Sequence, residues 1–194
     1  MSTALPSRLL YVVGPSGAGK DSLLEWLRTH LPEAHQLHWA RRTISRPATT
    51  DGEQHESLPP DAFGPLVEHG AFGLEWTANG LRYGVRHAEL APLQQGRWVV
   101  VNGSREHLPR ALALHPTLVA VHITASAATL RARLATRGRE TEAQMAARIA
   151  RAAAFAMPPA STTIEVHNDH ALAQAGEQLA QQLRNLPGWP SGAP

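Results

Sequence analysis

Gly14-Pro15-Ser16-Gly17-Ala18-Gly19-Lys20-Asp21-Ser22 is the stretch on which the fold turns. It follows the apolar run Leu9-Leu10-Tyr11-Val12-Val13, and beyond it apolar residues recur at Leu23, Leu24, Trp26 and Leu27, up to Leu31-Pro32. A buried strand, a glycine-rich turn and a helix opening on lysine are the setting that a phosphate-binding loop requires. Glycines let the backbone curl until several N–H groups point inward, and the helix N-terminus adds partial positive charge. Residues Gly14 to Ser22 are therefore expected to hold the phosphates of a nucleoside triphosphate, with Lys20 at the terminal phosphates and Ser22 at the α-phosphate. One position departs from the general pattern. The residue after the lysine is ordinarily Ser or Thr, which places a hydroxyl on Mg²⁺, and here it is Asp21.

Outward from the loop, strands and helices alternate. A strand is expected over Arg8–Val13 and a helix from the loop to about His30. Residues 35–95 are broken by Pro47, Gly52, Pro59-Pro60, Gly80 and Gly84, show helical periodicity only around Pro60–His69, and read as an inserted substrate-binding region. Further strands are predicted at Arg97–Asn102, Leu118–Ile123 and Thr162–His167, with a helix over Arg105–Leu114. Ser126 is placed to cap a helix running to Arg137, where Gly138 breaks it. Thr141 and Gln144 have capping-box spacing and open another helix, with Met145, Ile149 and Ala152 inward, which Pro158-Pro159 ends. Asn168-Asp169 is expected to start a last amphipathic helix to about Leu186, and residues 187–194 to form a frayed tail. The alternation implies an α/β fold with a central parallel sheet.

The whole chain agrees with one ordinary domain of 194 residues, 43% hydrophobic and 18% charged. Eighteen basic against sixteen acidic residues leave a net charge of only +2, and no basic run exceeds Arg41-Arg42, so nucleic-acid binding is not expected. The absence of cysteine excludes disulfides and thiolate metal sites. Eleven scattered histidines show no HxxxH or HExxH spacing, and no protein-ligated structural metal is expected. Residues Met1 to Arg8 lack the basic and apolar regions of a signal peptide, and no apolar segment approaches the roughly 20 residues that span a bilayer. A soluble, cytoplasmic protein without membrane partners is the expectation.

Two clusters of cations stand apart from the loop. Arg41, Arg42 and Arg46, with Tyr83 further on, supply guanidinium groups and a hydroxyl of the kind a dianionic acceptor phosphate needs; a solvated basic turn is the alternative. Arg133, Arg137, Arg139, Arg148 and Arg151 flank Gly138 at helical spacings and read as a lid that closes over polyphosphate. The alternative is that they decorate exposed helices, a role that could be the whole of what Arg139 and Arg151 do.

These segments together resemble the guanylate-kinase-like branch of the nucleoside monophosphate kinases. The matching residues are Gly14–Lys20, Thr43-Ile44-Ser45-Arg46-Pro47 with Gly52-Glu53, Glu75-Trp76, Asn79-Gly80, Tyr83-Gly84, Arg133-Leu134-Ala135-Thr136-Arg137-Gly138, Arg148-Ile149 and Val166-His167-Asn168-Asp169. They are collinear over nearly the whole chain. The resemblance implies a three-layer P-loop kinase fold in a single domain, with a lid at residues 137–147 and with ATP and Mg²⁺ as cofactors. It further implies catalytic roles for Lys20, Arg133, Arg137 and Arg148. The nucleotide would be held by the loop with Arg137, Asn168 and Asp169, and the acceptor by Arg41, Arg42, Arg46, Glu75, Tyr83 and Arg105.

The departures are informative. Guanylate kinases carry a second arginine shortly after the one matched by Arg46, where this chain reads Ala48-Thr49-Thr50. Their Tyr-Gly-Ser/Thr becomes Tyr83-Gly84-Val85, and their aspartate-bearing segment becomes Val101-Asn102-Gly103-Ser104-Arg105. A site without those donors and acceptors should discriminate poorly for guanine. Lys20-Asp21-Ser22, Asn79-Gly80-Leu81, Val101–Arg105 and Arg137-Gly138-Arg139-Glu140 instead resemble the ribose 1,5-bisphosphate phosphokinase family. That resemblance implies ATP-dependent conversion of a small sugar phosphate, ribose 1,5-bisphosphate, to 5-phosphoribosyl 1-diphosphate in phosphonate use. The alternatives are a guanylate or other nucleoside monophosphate kinase, and a guanylate-kinase-like module that binds a protein partner without catalysis. Oligomeric state, monomer or homodimer, stays open. Asp21 is expected to supply Mg²⁺ with the negative charge that Asn102 lacks; the alternative is that it only caps the helix N-terminus.

Overall fold

The computed structural model describes residues 8–46, 55–138 and 140–191. In chain order the elements are β1 (Leu9–Val13), α1 (Lys20–His30), β2 (His38–Trp39), β3 (Arg42–Ile44), β4 (His55–Ser57), α2 (Pro60–Glu68), β5 (Phe72–Ala78), β6 (Leu81–Arg86), α3 (His87–Leu90), β7 (Val99–Asn102), α4 (Leu108–Leu114), β8 (Val119–Thr124), α5 (Ala127–Arg137), α6 (Glu142–Ala153), β9 (Thr162–His167) and α7 (Leu172–Arg184).

All five side chains of β1 are buried, which places this strand at the centre of a sheet covered on both faces. It pairs in parallel with β7 on one side and β8 on the other, in a five-stranded sheet of order β2-β7-β1-β8-β9. Strand alternation divides the core. Leu10 and Val12 point to the layer built with Leu23 and Leu27 of α1 and Leu179 and Leu183 of α7. Leu9, Tyr11 and Val13 point to the layer built with Leu74, Val85, Leu108 and Ala111. One apolar strand thus ties three layers together.

The inserted region forms a four-stranded sheet of order β4-β3-β6-β5, with α2 where the sequence places a helix. Its inner strands are antiparallel, and β4 joins β3 in parallel. Glu56 of β4 locks the sheet by accepting from Arg86 Nε at 2.7 Å, Arg86 Nη2 at 2.8 Å and Thr43 Oγ1 at 2.7 Å. The Arg86 hydrogen bonds hold this carboxylate below its ordinary pKa against the opposing effect of burial. Residues 47–54, with Pro47, Ala48-Thr49-Thr50 and Gly52-Glu53, lie outside the described residues, as does Arg139.

Both predicted caps are present. Ser126 Oγ accepts from Thr129 N at 3.2 Å, and Thr141 with Gln144 closes a capping box at 3.3 and 2.8 Å. Gly138, with φ 61°, ends α5 in the left-handed conformation and turns the chain into α6. Two local expectations change. The helix predicted from Arg105 begins at Leu108, so Arg105 sits in a loop, free of helix geometry. At the other end, α7 begins at Leu172 with no side-chain cap, because its N-cap residue is Ala171, and Asp169 Oδ1 instead accepts from Ser126 N at 2.8 Å.

The described part of the expected tail, 187–191, is docked. Trp189 Nε1 donates to the buried Glu33 at 3.0 Å, and its ring packs tilted, 5.1 Å between centres, against Trp98, whose Nε1 donates to Gly188 O at 2.8 Å. No helix among the described residues is long and apolar enough to cross a membrane.

Candidate active site

The turn between β1 and α1 is shaped by Gly17 and Gly19, whose φ values of 90° and 84° are open to glycine and strained for other residues. Its carbonyls are tied from outside: Asn168 Nδ2 donates to Ala18 O at 2.8 Å, and Arg133 Nη1 reaches Gly17 O at 3.3 Å and Ala18 O at 3.4 Å. Lys20 Nζ folds back to Gly14 O at 2.8 Å. Burial lowers the Lys20 pKa to about 8; Asp21 opposes the shift, and the charges of Arg42, Arg105 and Arg137 add to it. A polyanion held in the loop would favour the ammonium and offset this depression.

The loop floors a cavity of about 430 Å³. Lys20, Arg42, Arg105, Arg137, Arg148 and Arg151 line it, faced among the described residues by two carboxylates, Asp21 and Glu106. Such an excess of cations around one cavity suits a ligand set with several phosphates.

One wall is aromatic. Trp76 of β5 and Tyr83 of β6 are cross-strand partners, with rings 5.4 Å apart and 3° from parallel. The Arg42 guanidinium lies 5.4 Å from the Tyr83 ring centre and donates to Asn102 O at 3.2 Å. Behind Trp76, His107 stacks at 5.3 Å and shares a 2.8 Å hydrogen bond with Tyr11 Oη. Burial, then the charge of Arg110, lowers the His107 pKa to about 4, so the imidazole is neutral at physiological pH. Burial raises the Tyr11 pKa, so its hydroxyl keeps its proton and donates to His107 Nδ1. The same hydroxyl accepts from Ser104 N at 3.2 Å. Gly103 makes this possible, since a Cβ there would lie 2.2 Å from the Tyr11 ring. A buried tyrosine thereby fixes the loop that carries Arg105.

At the lip of the phosphate loop, Asn102 Nδ2 donates to Asp21 Oδ1. Asn102 Oδ1 is buried with no partner among the described residues. The exposed carboxylate and the orphaned amide oxygen form a pair of hard oxygen donors, which fits Mg²⁺ shared with nucleotide phosphates. Among the described residues no cluster of three or more His, Cys, Asp or Glu could hold a metal by itself.

The expected site residues divide into two groups. Gly14, Pro15, Ser16, Gly17, Gly19, Lys20, Asp21, Ser22, Arg42, Tyr83, Arg105, Arg137 and Arg148 meet in the cavity. Ala18 is fully buried beneath it. Arg41 is outside, its side chain exposed and its backbone N bonded to Glu89 Oε2 at 3.0 Å. Arg46 is outside too, against His55 Nε2 at 3.3 Å. Glu75 precedes Trp76 in β5, so alternation turns it to the opposite face, where it lines a separate cavity with His87, His107 and Arg110. Arg133, Asn168 and Asp169 brace the loop and α5 from behind and do not line the cavity.

Trp76 and Asn102 line the cavity without having been singled out as ligand-binding residues, and Arg151, for which surface decoration was the alternative to a lid role, lines it too. The signals were present. Trp76 alternates with Leu74 in the pattern of a half-buried strand, and Arg151 lies one helical turn beyond Arg148.

No family model matches the chain. Among curated proteins it is 48% identical over 176 residues to the ribose 1,5-bisphosphate phosphokinase PhnN of Chromobacterium violaceum, covering 91% of this chain and 93% of the relative. The protein of the same name from Burkholderia mallei is 45% identical over 180 residues, covering 92% and 96%. Among solved structures, a guanylate kinase from Anaplasma phagocytophilum matches with a TM-score of 0.62 at 17% identity, over 91% of this chain and 84% of that one. An unliganded sugar kinase from Janibacter sp. matches with a TM-score of 0.55, also at 17% identity, over 96% and 99%. The structural likeness establishes a P-loop kinase fold, and the sequence likeness over more than nine-tenths of both chains establishes that the chain belongs to the ribose 1,5-bisphosphate phosphokinase family.

Proposed function

We propose that the protein transfers the γ-phosphoryl group of ATP to the 1-phosphate of ribose 1,5-bisphosphate, releasing ADP and forming 5-phosphoribosyl 1-diphosphate for phosphonate use. The observation that carries this reading is the cavity itself: guanidinium groups and an ammonium converge on it, while Val85, at the position of the guanine-reading hydroxyl of guanylate kinases, is buried in the core. The names of the full-length relatives support it.

The chemistry asks little covalent help from the protein. A sugar phosphate with a second pKa near 6 is largely dianionic at neutral pH, so an acceptor oxygen attacks without a general base. A new bond forms from that oxygen to the γ-phosphorus, the bond to the β–γ bridging oxygen breaks, and the electron pair leaves with ADP. The difficulty is bringing two polyanions into line. Lys20, Arg137 and Arg148 would cover the nucleotide and the migrating group. Arg42 and the Tyr83 hydroxyl would hold the attacking phosphate. Asp21 and Asn102 would hold Mg²⁺, which would supply neutralising charge for the nucleotide phosphates. A coupled assay of ADP release tests the reading, with ribose 1,5-bisphosphate and GMP offered separately. Turnover with the sugar bisphosphate is expected, and turnover with GMP alone contradicts it.

A further inference from the structure

The roles just described leave two cavity cations without a ligand. Arg105 stands on the loop after β7, with its guanidinium 5.0 Å from the centre of the Phe155 ring. Its Nη1 is buried and has no hydrogen-bond partner among the described residues. Leaving a charged donor buried and unpaired is costly, and such groups generally await a partner. Arg151 faces the same cavity from α6, three residues beyond Arg148 and so on the same side of the helix. Arg148 is paired with Glu140 at 3.1 Å, whereas Arg151 makes no ion pair among the described residues. The two free guanidinium groups are close enough for each other's field to matter: the charge of Arg151 helps burial to depress the Arg105 pKa, against the pull of Glu106. Two like charges held together on separate elements, one stacked on an aromatic ring, form a receptor for a dianion.

An acceptor with one phosphate would leave this receptor empty. A bisphosphate acceptor brings one further dianion. Resting on the function proposed above, we infer that Arg105 and Arg151 form the subsite for the sugar's 5-phosphate, the group that takes no part in the reaction. The subsite then selects a bisphosphorylated sugar over a monophosphorylated one and uses the remote phosphate to orient the reacting end.

The test compares wild type, Arg151→Ala and Arg105→Ala on ribose 1,5-bisphosphate and on ribose 1-phosphate, which lacks the 5-phosphate. Each substitution is expected to lower kcat/KM for the bisphosphate by about tenfold or more, the usual cost of losing one charged hydrogen bond. The rate with ribose 1-phosphate and the KM for ATP should stay within about twofold of wild type. Equal losses on both acceptors, or a raised KM for ATP in Arg151→Ala, would overturn the subsite. A wild-type enzyme inactive on ribose 1,5-bisphosphate would instead contradict the proposed function. The subsite is then judged by titration calorimetry with ribose 5-phosphate. Affinity should fall about tenfold in Arg151→Ala, and unchanged affinity would refute it. Arg151 is exposed, so its removal leaves the fold intact.

Discussion

Lys20 sits at the centre of the residue-scale account, because its charge is conditional. Its pKa in the free enzyme is depressed to about 8, so the ammonium is present below that pH and is lost as pH rises through it. The expected pH profile of kcat/KM for ATP therefore falls above about pH 8, while kcat, which reports the complex, holds to higher pH. A flat kcat/KM profile up to pH 10 would contradict this. Asp21 carries a second residue-scale prediction. The hydrogen bond from Asn102 joins the two positions that depart from the usual motif, as though hydroxyl and carboxylate had been replaced by carboxylate and amide. Asp21→Ser should raise the Mg²⁺ concentration for half-maximal rate about tenfold, consistent with loss of one carboxylate ligand. An unchanged Mg²⁺ dependence would leave Asp21 only its helix-cap role. For Arg137, exposed at the end of α5 and lining the cavity, replacement by Ala should cut kcat at least about tenfold. Of the expected residues, those adjoining the motif were the most legible, since the loop's chain direction is fixed by its strand and helix. Arg41, Arg46 and Glu75 were not, because a strand's side-chain direction depends on register, which the sequence of a short polar strand does not specify.

At the scale of elements, the site is assembled from loops that buried contacts hold in place. Tyr11 is the clearest case: it lies in the central strand, yet its hydroxyl serves Ser104 and His107 beyond the ends of neighbouring elements. Tyr11→Phe should leave the Ser104 N–H without a partner and cost about 1–3 kcal/mol of stability, measured by denaturant unfolding. It should also raise KM for the acceptor more than for ATP, because the displaced loop carries Arg105 and not Lys20. An equal rise in both would assign Tyr11 a purely global role. Within the lid, the helices, their caps and the turn at Gly138 were legible, because capping boxes and left-handed glycines are written locally. The paired sheet of the insertion was not, since its strands join residues such as Thr43, Glu56 and Gly84 that are far apart in the chain. Only α2 inside it announces itself by periodicity.

On the scale of the whole molecule, the cavity's charges gather at the C-terminal ends of the central parallel strands β1 and β7, and the tail is anchored at Trp98, before the N-terminal end of β7. Trp189 and Glu33 belong to this anchor. Trp189→Ala should lower stability by about 2–3 kcal/mol through lost packing and one fewer hydrogen bond to Glu33, whose Oε1 keeps Arg184 Nε, leaving KM values unchanged. Linkage runs in one direction here. The net depression of the Glu33 pKa means that the pair contributes above the ordinary carboxylate pKa and that the contribution is lost as pH falls through the native value; burial opposes the depression, and the hydrogen bonds from Trp189 and Arg184 outweigh it. This docking was invisible in a sequence ending in Pro, Gly and Ser, because its partners lie at the other end of the chain. The three-layer plan was visible, because one wholly apolar strand beside a glycine loop leaves few alternatives. All scales meet in the identity of the acceptor. ³¹P NMR of purified protein with ATP–Mg²⁺ and ribose 1,5-bisphosphate tests it most directly. Loss of the sugar's 1-phosphate signal and growth of a diphosphate doublet pair, with the 5-phosphate retained, is the predicted result; no change there, alongside phosphorylation of GMP, would contradict it.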